Sequence, residues 1–154
     1  RAEKGSCELN ARDVEEWGRG IVFLVLPPEK PGRTFAEQLT HWTTAFPGSV
    51  YLAASHLYRG DDARRIAKLA DLSDETGVPL VATNDVLMHE ARRRPLADVL
   101  TCIREHTSLD RAGRIIDAQR ERHLHSARQM GLLFADQPRA GRDRAPARRC
   151  RRDG

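Results

Sequence analysis

PLVATNDVLMHEARRRPLADVLTCIREH, residues 79–106, joins an apolar run to a polar turn and an amphipathic segment. Leu80, Val81 and Ala82 form an apolar run that stops abruptly at Thr83, Asn84 and Asp85. Apolar residues at consecutive positions belong to a strand covered on both faces, the usual state of a strand in a parallel sheet flanked by helices. The polar residues directly after the run then mark where that strand surfaces. Further on, Pro95 suits a first helical position, and Leu96, Val99, Leu100 and Ile103 recur at i, i+3, i+4 and i+7. This spacing predicts a helix that docks by its apolar stripe.

Two earlier runs have the same character, IVFLVL at 21–26 and VYLAAS at 50–55. The three runs begin at residues 21, 50 and 78, a spacing that holds one strand, one helix and two loops. The pattern is β-α-β-α-β, and right-handed crossovers make its strands parallel. Between the first two runs, Thr34 and Glu37 form a T-x-x-E capping box ahead of the stripe Phe35, Leu39, Trp42 and Phe46, with Pro47 and Gly48 as the stop. Between the second and third, Asp61 or Asp62 caps a helix with a small-residue face (Ala63, Ile66, Ala67, Leu69, Ala70, Ser73), and Gly77 ends it. Near the start, Asn10 caps a short helix, ARDVEEW, with Val14 and Trp17 on one face; both tryptophans read as core. Residues 107–125 are charged and weakly periodic, and ARQMGLLF at 127–134 is a last short helix.

Length, at 154 residues, suits one domain with a real core. The net charge of +4 misrepresents the body of the chain. Residues 139–154 hold seven Arg and two Asp, leaving 19 basic against 20 acidic residues in 1–138. We place the domain boundary at Pro138 and read 139–154 as a solvated, disordered Arg-rich tail, with non-specific nucleic-acid binding as its alternative role. Cys7, Cys102 and Cys150 are odd in number and far apart, which argues against a disulfide framework and a cysteine zinc site. Cys102, beside Ile103 on a helix, reads as a buried thiol. No apolar run approaches the roughly 18 residues of a membrane span, and RAEKGSCELN lacks a signal core, so a cytoplasmic protein is expected.

Ligands of parallel α/β folds gather at the carboxyl ends of the strands, because those loops converge on one side of the sheet. The candidates there are His56, Asn84, Asp85 and His89. Of these, Asp85, His56 and His89 carry donor groups for zinc, manganese or iron. The same residues also read plainly as an Asn-Asp turn and exposed loop histidines. Arg92, Arg93 and Arg94 read either as a solvated turn or as contacts to a phosphate backbone. G-x-G-x-x-G, Walker, G-x-S-x-G and H-E-x-x-H motifs are all absent.

Five segments in order, the opening RAEKG, SVYLAASHLYRGDDARR, ATNDV, RRPLADVLTCIREH and ERHL with the later QMGLLF, resemble the histidinol-phosphatase-like (PHP) domain of bacterial C-family DNA polymerases. The resemblance spans roughly residues 1–136 and is to the error-prone relatives of the DNA polymerase III alpha subunit. It implies the second half of a distorted β/α barrel, here a partial one, with C-terminal helices. Earlier strands and a histidine motif would precede Arg1, and the palm aspartates that bind two magnesium ions would follow. In better-equipped relatives N-D-x-H places a histidine two residues after the aspartate and Y-L-E supplies a glutamate; this chain has Leu87 and Ala53 there, while Asp85 matches and His89 does not. The resemblance therefore implies a degenerate, catalytically silent segment with no cofactor of its own. Its parent would copy damaged DNA, with DNA, the sliding clamp and accessory mutagenesis proteins as partners. A small metal-dependent phosphoesterase and a non-enzymatic nucleic-acid-binding module are the alternatives.

Overall fold

The computed structural model describes residues 3–58, 60–117 and 121–136. Three strands, β1 (Phe23–Val25), β2 (Val50–Ser55) and β3 (Leu80–Thr83), alternate with the helices α2 (Arg33–Ala45) and α3 (Asp62–Thr76). A short α1 (Ala11–Trp17) precedes them. After β3 come one turn of 3₁₀ helix (Ala91–Arg93), α4 (Arg94–Arg104), the single turns α5 (Leu109–Ala112) and α6 (Arg114–Asp117), and α7 (Ala127–Leu133). The strands are parallel in the order β1-β2-β3, with Phe23 opposite Val50 and Leu52 opposite Leu80. The chain is thus α/β around a small parallel sheet, as the 28- and 29-residue spacing predicts.

Central β2 is buried at all six positions, since it is paired on both sides. Its side chains alternate between faces. Val50, Leu52 and Ala54 join the main core with Leu39, Ile66, Leu69, Val78 and Leu80, where α2 and α3 pack on each other and α3 on β2 and β3. Phe134, just after α7, completes that core with Met130 and Leu133 packed beside it. Helix α1 is tied down by a capping box in which Asn10 Oδ1 accepts from the Asp13 amide at 3.2 Å and Asp13 returns the bond at 3.0 Å. Gly77 ends α3 in the left-handed region at φ 69°, which glycine adopts without a Cβ penalty.

Several local expectations are corrected. Only three residues of IVFLVL pair, and Ile21, Val22, Leu24 and Leu26 are exposed, because β1 is an edge strand bonded on one side only. The N-cap of α2 is Gly32, with no side-chain cap; Glu37 instead bonds Arg33 at 2.9 Å one turn away. Asp61 sits at the N-cap of α3 without a capping bond, and Asp62 takes the Leu57 amide at 2.7 Å. Trp42 packs against the core and stacks on Phe46, but Trp17 is 75% exposed.

The largest departure is α4. Leu96, Val99, Leu100 and Ile103, the stripe expected to dock, are 40–64% exposed, while Asp98, Thr101 and Cys102 are buried. The main core is built from α2, α3, the strands and Phe134 and takes no residue from α4, whose main contacts are with α5 and the preceding 3₁₀ turn. Cys102 is buried as anticipated. No described helix is long and apolar enough to cross a membrane. The boundary at 138 and the Arg-rich segment with Cys150 lie outside the described residues.

Candidate functional site at the carboxyl edge of the sheet

Strands β2 and β3 end side by side, and Ser55 Oγ lies 2.7 Å from Thr83 Oγ1. This pairing places the next residues of both strands on one edge. From β2 come His56 and Tyr58. The His56 ring meets Phe134 edge-on at 4.8 Å, and its Nε2 is buried without a hydrogen-bond partner. The carbonyl of Ser55 accepts from the Arg65 guanidinium, which anchors the loop to α3.

From β3 come Asn84 and Asp85. Asn84 is 7% exposed, and its side-chain amide donates to the carbonyls of Glu121 (2.8 Å) and His123 (2.7 Å). Asp85 has φ 43°, a conformation that Asp tolerates better than most residues. Its carboxylate accepts from Arg122 at 2.5 Å, and its carbonyl accepts from Arg122 Nε at 2.8 Å. The amides of Leu87 and Met88 donate to the Arg122 carbonyl, Leu124 donates to Met88, and Met88 and His123 form a parallel bridge. Residues 122–124 are therefore held alongside residues 87–88 through a bridge at His123.

On this segment Glu121, His123 and His125 come together, with one donor atom from each lying within 4.8 Å of the others. The two imidazoles touch edge to face at 4.4 Å, and the Nδ1 atoms of both are buried without a hydrogen-bond partner. Tyr58 sits close enough to feel this group: burial, then the charges of Glu121 and Asp62, push its hydroxyl above the usual tyrosine range.

The residues singled out from the sequence fall differently. His89 is exposed and its Nε2 lies 3.0 Å from Glu90. Glu90 also receives Arg92 at 2.7 Å and Arg93 at 3.6 Å; the Arg92 hydrogen bond, with the neighbouring positive charges, holds its carboxyl below the usual range. Arg94 pairs with Asp98 on α4 at 3.4 Å. Arg92 and Arg93 thus form a solvated basic turn, whereas Arg94 opens α4 and is largely covered beside buried Asp98. Asp85 is engaged with Arg122, so among the described residues the side chains that gather as ligands are Glu121, His123 and His125 rather than Asp85, His56 and His89. The signal for them was present as E-x-H-x-H, donors at every second residue, in a stretch whose charge masked its strand-like period.

The fold and its edge define an α/β segment of repeated β-α units whose polar groups converge beyond the strand ends. No family model matches the chain. Over 140 residues it is 43% identical to the error-prone DNA polymerase of Caulobacter vibrioides, a match covering 91% of this chain and 13% of that protein. The error-prone DNA polymerase of Brucella abortus is 44% identical over 139 residues, and that of Rhodopseudomonas palustris strain BisB5 is 41% identical over 141. The chain is thus related, over nine-tenths of its length, to error-prone DNA polymerases, and it spans about an eighth of their length.

Proposed function

We propose that this chain is the second half of a degenerate PHP-type domain of an error-prone DNA polymerase, and that its role there is structural. The observation that carries this is the 43% identity over 91% of the chain to a protein named for that activity. Several features support it. Parallel strands in consecutive order, β1-β2-β3, are the arrangement expected of an arc of a β/α barrel. The edge strand β1 and the apolar stripe of α4 are open surfaces on which the remainder of a much longer polypeptide would pack.

In this reading the full-length protein carries out template-directed DNA synthesis past damage in the cytoplasm, with DNA, a sliding clamp and accessory mutagenesis proteins as partners. The magnesium ions of nucleotidyl transfer belong to residues beyond this segment. A phosphoesterase would require Asp85, His56 and His89 to share an ion, yet Asp85 is bonded to Arg122 and His89 to Glu90, while Leu87 and Ala53 add no donor. These engagements favour the structural role. Assaying the purified chain with p-nitrophenyl phosphate and a 3′-labelled oligonucleotide, with manganese or zinc added, should give no turnover above background. Turnover that disappears in Asp85→Ala would replace the structural role with an enzymatic one.

A further inference from the structure

Outside the PHP-type positions lies a group of donors that the structural role does not use. We propose that Glu121, His123 and His125 bind one divalent ion of the zinc class, with a fourth position open to water. Three features on this segment support the assignment. The donor atoms are already within 4.8 Å of one another. Tetrahedral coordination at zinc bond lengths of about 2.0–2.2 Å needs them roughly 3.3 Å apart, a closure that side-chain rotation can supply. Independently, the Nδ1 atoms of His123 and His125 are buried and have no hydrogen-bond partner, although buried polar atoms are ordinarily satisfied. Bringing the two rings onto an ion reorients both and gives them a shared partner. Finally, the backbone beneath them is fixed: Asn84 holds the carbonyls of Glu121 and His123, and Met88 pairs with Leu124. A site whose supports are set beforehand loses little entropy on binding.

The donor set selects the ion. Two imidazoles and one carboxylate suit zinc and its first-row neighbours, whereas magnesium and calcium take oxygen ligands. All three donors come from five consecutive residues, so the ion clamps residues 121–125 in the arrangement that the Asn84 and Met88 bonds already hold. The site is distinct from Asp85, whose carboxylate faces Arg122.

The full chain, stripped of metal with chelator, should be titrated with zinc by calorimetry and with cobalt(II) by absorption. Binding of one equivalent is expected, unaffected by excess magnesium or calcium, with the visible bands of four-coordinate cobalt and no thiolate charge-transfer band. His123→Gln and His125→Gln should each weaken binding at least about tenfold, while His89→Gln leaves it unchanged. Absence of binding, a thiolate band that places the ion on cysteine, or equal loss in His89→Gln would overturn the proposal. The cobalt spectrum of the unsubstituted chain decides the matter even if a His variant fails to fold. The polymerase reading stands or falls separately, because it needs no ion here.

Discussion

Asn84 is the residue on which the carboxyl edge depends. One buried side-chain amide supplies two donors to two carbonyls of a segment 37 and 39 residues away. Asn84→Ala leaves both carbonyls short of a partner, at a cost of about 1–3 kcal/mol. Urea unfolding should show that loss, and hydrogen exchange should show faster exchange of the Leu124 and Met88 amides than in the parent. Asp85 is less demanding. Its pair with Arg122 is partly exposed, so Asp85→Ala should shift stability by no more than about 1 kcal/mol. Tyr58 gives the edge a pH dependence of known sign. Its hydroxyl pKa is raised above 10.0 in the fold, so its contribution to stability is complete below that value and declines as pH rises through the raised pKa. Stability measured at alkaline pH should therefore fall more steeply for the parent than for Tyr58→Phe.

Among the elements, the best-placed test is the seat of α1. A Cβ added at Gly18 would meet the Val14 carbonyl at 2.5 Å and the Phe46 ring at 2.6 Å, so Gly18→Ala should cost about 1–3 kcal/mol through overpacking. By contrast Leu100→Lys and Ile103→Lys on α4 should stay within about 0.5 kcal/mol in this chain, because both side chains are already in water. Thermal unfolding of the variants separates the two cases. The same pair shows what was legible beforehand. Strand and helix positions followed from the apolar runs at 21, 50 and 78, from Asn10 and from Gly77, all local signals. Whether an apolar face has a cover is not local. The Leu96–Ile103 stripe and the outer residues of IVFLVL announce a face to be buried, but periodicity does not say what buries it. At the carboxyl edge, the strand ends could be read from the apolar runs, and Asp85 and His56 follow β3 and β2 there. The gathering of Glu121, His123 and His125 was not legible, because it depends on pairing with Asn84 and Met88, 35 to 39 residues away in sequence.

For the molecule as a whole, size and surface point the same way. A three-stranded sheet with two edges, β1 and β3, unpaired among the described residues, and an exposed helix stripe is what a segment covering about an eighth of a polymerase should look like. Charge adds a separable property. If the chain binds DNA, the seven Arg of residues 139–154 should account for it. Deleting them should abolish binding, and log affinity of the full chain should fall with log salt at a slope no steeper than about −6. Salt-insensitive binding by residues 1–138 would remove the tail from the account. Transplantation tests whether this chain is a structural segment of an error-prone polymerase. In the Caulobacter vibrioides polymerase, the segment that this chain matches is replaced by the chain, and primer extension on damaged and undamaged templates is measured. Extension at the parental rate is predicted; a chimera that is folded by circular dichroism and monodisperse yet fails to extend either primer would contradict it.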